Sequence, residues 1–147
     1  MSVCIPVFNG ESYIAQALES VLSQTFLDFE VIITDNCSTD KTLQIIKNIS
    51  QKNPRMKVFS NEENLGIVGN FNRCLHLANA KYVKFLCADD LLLPTCLEQM
   101  VRPLEVDPLI SMVVCGRNFI NNVGINKSCS AYSSTNLRIN GHDVIQK

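Results

Sequence analysis

The chain has 147 residues, 46% of them hydrophobic and 18% charged, with 13 Lys and Arg against 14 Asp and Glu for a net charge of -1. Such a composition belongs to a folded domain with a sizeable core, excludes a disordered chain, and argues against a broad phosphate-backbone footprint on nucleic acid. The 7 cysteines are scattered without a Cys-x-x-Cys pair, which fits reduced thiols in a cytoplasmic setting better than a disulfide framework or zinc site, and no apolar run approaches the roughly 18 residues of a membrane span.

Ser2 to Val7 reads as a first strand, with Pro6 acceptable only where no ladder donor is required. Phe8-Asn9-Gly10 has turn chemistry, and Ile14, Leu18, Val21 and Leu22 then recur at helical spacing. Residues 29–35 form a second strand running into Asp35. The polar run Asn36 to Asp40 offers caps for a helix with Thr42, Ile45, Ile46 and Ile49 on one side. A third strand spans Met56 to Ser60, and a third helix carries Ile67, Phe71, Cys74, Leu75 and Ala78 on one face. Val83, Phe85, Leu86 and Cys87 suit a buried fourth strand that ends in Asp89 and Asp90. Pro94 as a first-turn proline and Thr95-Cys96-Leu97-Glu98 as a capping box open a fourth helix, with Leu97, Met100, Val101 and Leu104 facing inward. Ile110 to Cys115 reads as a fifth strand, and Gly141-His142-Asp143 as a helix start.

Strands alternating with helices over residues 3–115 predict an α/β fold, a mostly parallel central sheet with right-handed crossovers and helices on both faces. In that architecture the ends of strands one, two and four meet at one edge of the sheet, where open α/β folds bind ligands. Phe8, Asn9, Glu11, Asp35, Asn36, Asp89 and Asp90 then reach a single crevice. The pair Asp89-Asp90, taken alone, is most simply a solvated turn or a helix cap; a hard divalent cation is the alternative that keeps both ionised. No Walker or G-x-G-x-x-G loop is present, so a diphosphate here would depend on metal rather than on backbone amides. His76 and His142 have no catalytic spacing.

The ordered motifs resemble those of the family 2 glycosyltransferases, inverting enzymes with the Rossmann-like GT-A nucleotide-diphospho-sugar transferase fold. Ser2 to Glu11 is similar to that family's opening strand and turn, Leu18 to Thr25 to its "S-V-L-x-Q-T" helix end, and Glu30 to Asp40 to "E-V-I-V-V-D-D-G-S-T-D". Asn64-Leu65-Gly66, Asn72 and Ala88-Asp89-Asp90 to Pro94 complete the order. The resemblance implies that Pro6, Phe8, Asn9 and Glu11 shape a base pocket, that Asp35 recognises the base, and that Asn64, Gly66 and Asn72 border the nucleotide. It implies that Asp89 contacts ribose and metal and that Asp90 joins it as a ligand of Mn or Mg. It further implies one domain over 1–147, with a donor-binding half over about 1–116, the start of an acceptor half, and a continuation beyond Lys147 holding the general base. The expected partners are a nucleoside diphosphate sugar, most simply a UDP-sugar, and a saccharide or lipid-linked acceptor, with no nucleic acid; peripheral membrane association would come through segments outside this chain.

Three positions depart from the pattern. Cys87 stands where a first acid is usual, and a thiol is a poor match for Mn or Mg. Asn36 replaces a second acid after strand two, and Phe71 replaces an Arg. These departures, with the missing base, keep open a non-catalytic nucleotide-sugar-binding or interaction domain; nucleotidyl transfer ranks last, because Phe8 to Glu11 is not a glycine-rich basic loop.

Overall fold

The computed structural model describes residues 1–121 and the backbone of 126–130. Two compact units divide at Arg102 and Pro103. The first contains four parallel strands, β1 (Ser2–Val7), β2 (Glu30–Asp35), β3 (Met56–Ser60) and β4 (Val83–Phe85), in the order β3-β2-β1-β4. It also holds helices α1 (Ile14–Leu22), α2 (Thr42–Ser50) and α3 (Gly66–Leu77), and the part of α4 (Cys96–Val106) up to Arg102.

The period-2 pattern of the strands explains the layering. Val3, Ile5, Val7, Val31 and Ile33 point to one face, where they pack with Ile14, Leu18 and Val21 of α1, Ile46 of α2 and Leu97 of α4. Cys4 and Ile32 point to the other, against Cys74 of α3 and the half-buried Phe59, Leu77 and Phe85. Helices therefore cover both faces, as expected. Helix α1 has no side-chain cap. Burial of Ile14, Leu18 and Val21, at about 1.5–3 kcal/mol each, outweighs the ~1 kcal/mol of a cap and suffices to hold it.

Pro6 occupies the place its chemistry demands. Ser2 N donates to Tyr82 O and Leu86 N to Cys4 O, so the even residues of β1 face β4. The last β1–β4 pair is Cys4 with Phe85, leaving Pro6 beyond the ladder on the side where it has no N–H to give.

Several expectations need correction. Val83 is exposed because β4 is an edge of the described sheet, and Cys87 is exposed because the strand stops at Phe85. In α3 the buried residues are Asn70 and Cys74, whereas Ile67 and Leu75 are exposed, since the face that meets β2 is chosen by hydrogen bonding as well as by apolar area. The capping box does not close: Glu98 accepts instead from Thr25 Oγ1 at 2.8 Å, and Leu97 N is capped by Gln24 Oε1 at 3.0 Å.

In the second unit, Ile110 to Cys115 is not a strand. Met112 and Val114 are exposed, and the ladder lies further on, where β5 (Arg117–Ile120) pairs antiparallel with β6 (Asn126–Ser130). An apolar run without a neighbouring strand gains no ladder bonds, whatever its β propensity. The helix start expected at Gly141-His142-Asp143 lies outside the described residues. No helix among the described residues is long and apolar enough to cross a membrane.

Candidate active site

Parallel pairing aligns the carboxyl ends of β1, β2, β3 and β4, and the loops leaving them carry the polar residues. The loop after β1 is zipped to the loop after β2. Asn9, held at φ 50°, donates its N–H to Ser38 Oγ at 2.9 Å and accepts from Thr39 N at 2.8 Å through Oδ1. Gly10 N donates to Thr42 Oγ1 at 2.8 Å, Glu11 N to Asp40 Oδ2 at 3.1 Å, and Lys41 N to Glu11 Oε2 at 2.9 Å. Burial alone would raise the Asp40 carboxyl, but bonds from Thr42 and the Glu11 amide hold it below its ordinary value. Phe8 leads out of β1 half exposed, above this rigid double loop.

Asp35 ends β2 and is 1% exposed. Its Oδ2 accepts from Ser38 N at 3.2 Å, and its Oδ1 has no partner among the described residues. A buried carboxylate oxygen without a donor is costly, and such atoms in native folds call for an explanation. The next residue, Asn36, is fully bonded. Its Oδ1 accepts from Asn61 Nδ2 at 2.7 Å and Leu65 N at 2.9 Å, and its Nδ2 donates to Asn64 Oδ1 at 2.8 Å and Gly66 O at 3.3 Å. Gly66, at φ +69°, starts α3 in the left-handed region that favours glycine.

Beyond β4, Asp89 and Asp90 are exposed in a turn in which Asp90 N donates to Cys87 O at 3.1 Å. One ligand atom each from Cys87, Asp89 and Asp90 lies within 4.8 Å of the others. Partial desolvation pushes the Cys87 thiol up, Asp90 and Asp89 add to that, and Lys84 opposes it. The thiol adds no third charge to the two carboxylates. Gly10 brings this turn close to the first loop: a Cβ there would lie 2.9 Å from Val7 Cγ2 and 3.4 Å from Ala88 Cβ.

The turn is fixed from behind by the end of α1. Gln24, 2% exposed, donates to Leu93 O at 2.7 Å and Ser20 O at 3.0 Å, while Ser20 Oγ accepts from Leu92 N at 3.1 Å and Thr25 N donates to Pro94 O at 2.9 Å. Residues 92–97 are thus clamped directly after the acid pair. Ser20 and Gln24 lie in the Leu18 to Thr25 motif without a role that the motif itself reveals, and Asn61 and Asn70 stand outside the expected site residues. A polar residue inside an apolar helical stripe, as Asn70 is one turn before Cys74, is the signal that could have found the last of these.

Asn72 lies on the exposed side of α3, and Phe71 packs against Phe85 with ring centroids 5.0 Å apart, so it fits the core in place of the usual Arg. Of the expected site residues, Asp35 and Asn64 stand in the bonded cluster at the ends of β2 and β3. Asp89 and Asp90 follow β4, with β1 between the two groups.

The model of glycosyl transferase family 2 matches residues 2–143. The chain belongs to that family. A glycosyltransferase of Haemophilus influenzae with no characterised activity is 35% identical over 105 residues, 71% of this chain and 32% of that protein. A chondroitin synthase of Pasteurella multocida is 32% identical over 121 residues, 82% of this chain and 12% of that one. Residues 1–349 of S. aureus TarS superpose with a TM-score of 0.66 at 35% identity, covering 71% of this chain and 32% of that one, and TarS has also been solved with UDP and with UDP-GlcNAc. A mannosyltransferase of Pyrobaculum calidifontis, 24% identical with a TM-score of 0.57 over 61% of this chain and 27% of that one, shares the fold. The fold is therefore GT-A. The chain spans 32% to 43% of the length of the first curated relatives it matches.

Proposed function

We propose that this chain is the donor-binding part of an inverting glycosyltransferase that moves a sugar from a nucleoside diphosphate, most simply UDP, to a hydroxyl acceptor in polysaccharide or cell-surface glycan synthesis at the cytoplasmic side of the membrane. The observation that carries the reading is Asp35, a buried carboxylate whose Oδ1 lacks a protein donor at the ligand-binding edge of the sheet. A base ring N–H or a ribose hydroxyl supplies that donor, and the UDP complexes of TarS at 34–35% identity support the choice of uracil.

In this reading Pro6, Phe8, Asn9 and Glu11 build one wall of the base pocket, and Asn64, Gly66 and Asn72 border the other. Asp89 meets the ribose and, with Asp90, a divalent cation. Two hard carboxylates with donor atoms inside 4.8 Å fit Mn or Mg, and Cys87 beside them lowers the affinity below that of a three-acid site. A cation held there supplies Lewis-acid neutralisation of the diphosphate as it leaves. The chain's own residues bind and orient the donor so that its anomeric carbon faces the acceptor. The acceptor oxygen forms its bond to that carbon as the bond to the diphosphate breaks, the electron pair stays on the phosphate oxygen, and configuration inverts.

Titration calorimetry of the folded chain with UDP and Mn tests this directly. The expected result is saturable UDP binding that weakens when Mn is chelated. No binding by a sample with an intact far-ultraviolet spectrum would overturn it. Donor turnover in the presence of a saccharide acceptor would separate the transferase from a protein that only binds nucleotide sugars.

A further inference from the structure

Asn36 looks like a lost acid when the sequence is compared with its family, but the structure surrounds it with groups that only a neutral amide satisfies. Its Nδ2 faces two acceptors, Asn64 Oδ1 at 2.8 Å and Gly66 O at 3.3 Å. Its Oδ1 faces two donors, Asn61 Nδ2 at 2.7 Å and Leu65 N at 2.9 Å. The amide orientation is settled by what lies beyond. Asn61 Nδ2 also donates to Asn70 Oδ1 at 3.0 Å, and Asn70 Nδ2 donates to Thr34 O at 3.0 Å and Val7 O at 3.5 Å. Flipping any of these amides sets oxygen against oxygen. Asn36, Asn61 and Asn70 are all buried, so each mismatch is felt at low dielectric.

The chain of amides ends on the backbone that aims Asp35. Asn61 N donates to Asp35 O at 2.9 Å and Asn36 N to Val7 O at 2.9 Å, which fixes the peptide unit that follows Asp35, and the bond from Asn70 Nδ2 to Thr34 O holds the unit before it. On the other side, Asn64 Oδ1, held by Asn36, accepts from Gly66 N at 2.9 Å and so shapes the first turn of α3.

We propose that Asn36 is a positioning residue for nucleotide binding, and that its neutrality is required: it locks the Asn61–Gly66 loop to the end of β2 and thereby holds Asp35 in the orientation that meets the base. This rests on the donor-binding reading above. Asn36→Asp keeps the size and both acceptor contacts but turns two donor contacts into repulsions with Asn64 Oδ1 and Gly66 O. Protonation of the new carboxyl restores one donor, and burial beside two acceptors favours that protonated form.

The test measures UDP affinity in the presence of Mn for the parent, Asn36→Asp and Asn36→Ala between pH 5 and 8, expressed at each pH as a ratio to the parent, together with hydrogen exchange of the Gly66 amide. At pH 8, Asn36→Asp is expected to bind UDP at least 10-fold more weakly and to exchange Gly66 faster. Its ratio should climb towards one as pH falls, while that of Asn36→Ala stays low and flat. Asn36→Ala introduces no buried charge and keeps the test open if Asn36→Asp does not fold. Parent-like affinity in the variants, or a ratio for Asn36→Asp that does not move with pH, overturns the positioning role while leaving the donor site standing. A parent that does not bind UDP removes the donor-binding reading and this inference with it.

Discussion

At the residue scale, two kinds of acid share one edge of the sheet and differ in burial. Asp35 is buried and half-satisfied, so in the proposed donor-binding role its value lies in the bond it makes to a ligand. Asp35→Asn removes the charge but not the shape. It should leave the urea midpoint almost unchanged and weaken UDP binding about 10- to 100-fold, the worth of one charge-assisted hydrogen bond of roughly 1.5–3 kcal/mol. Asp89 and Asp90 are exposed and contribute little to the core. Asp89→Asn and Asp90→Asn should keep the parent's thermal midpoint within a few degrees while reducing the Mn-linked part of UDP binding; parent-like titrations for both would place the metal elsewhere. These acids were legible in the sequence because each follows an apolar strand. The amide cluster of Asn36, Asn61 and Asn70 was not, because nothing along the chain says that residues 25 and 9 positions apart exchange buried hydrogen bonds.

At the scale of elements, the loops are held by side chains reaching across from neighbouring elements. Gln24 closes α1 and spends its whole amide on Ser20 O, Leu93 O and Leu97 N. Ser20 O keeps Ser23 Oγ and Leu93 O keeps Cys96 N, so Gln24→Ala leaves the buried Leu97 N–H without its acceptor and should cost roughly 1–3 kcal/mol in urea denaturation. The Leu97 amide should exchange faster as a local effect, and UDP affinity should fall because the turn at Asp89 and Asp90 loses its backing. Helix α3 carries the same lesson. Apolar spacing selected Ile67, Phe71, Cys74, Leu75 and Ala78, but the helix turns Asn70 and Cys74 onto β2, where Asn70 serves Thr34 O and Cys74 Sγ lies 3.1 Å from Thr34 Oγ1. Ile67 and Leu75 stay exposed while Asn70 and Cys74 meet Thr34, so apolar spacing alone does not decide which face this helix buries.

At the scale of the first unit, stability and function are separated along the strands. The proposed ligand residues gather at the carboxyl ends, while the amino ends are tied by Glu30, which accepts from Ser2 Oγ at 2.6 Å, Lys57 Nζ at 2.7 Å and Asn79 N at 3.1 Å. Burial opposes its ionisation, yet Lys57, Ser2 and the Asn79 amide outweigh that and hold the carboxyl at about 2, against 4.5 ordinarily. The folded value lies below the unfolded one, so this contribution is fully present above pH 4.5 and is lost as pH falls towards 2. Urea midpoints taken from pH 7 down to pH 3 should decline in the parent, and Glu30→Gln should be about 1–2 kcal/mol less stable at pH 7 with a flatter decline. Its UDP affinity should match the parent's, because the tie lies at the opposite end of the sheet from Asp35.

The sequence by itself determined the order of strands and helices through residue 106, the parallel α/β architecture and the acids at the strand ends. Those features are written in local periodicity, in turn chemistry and in adjacent residues. Only the tertiary structure decided that Ile110 to Cys115 forms no strand, which face α3 buries, and that Asn36 is fully bonded rather than a weakened acid. A ladder, a helix face and a buried amide each depend on partners brought from elsewhere in the chain, and their energies exist only once those partners are in place.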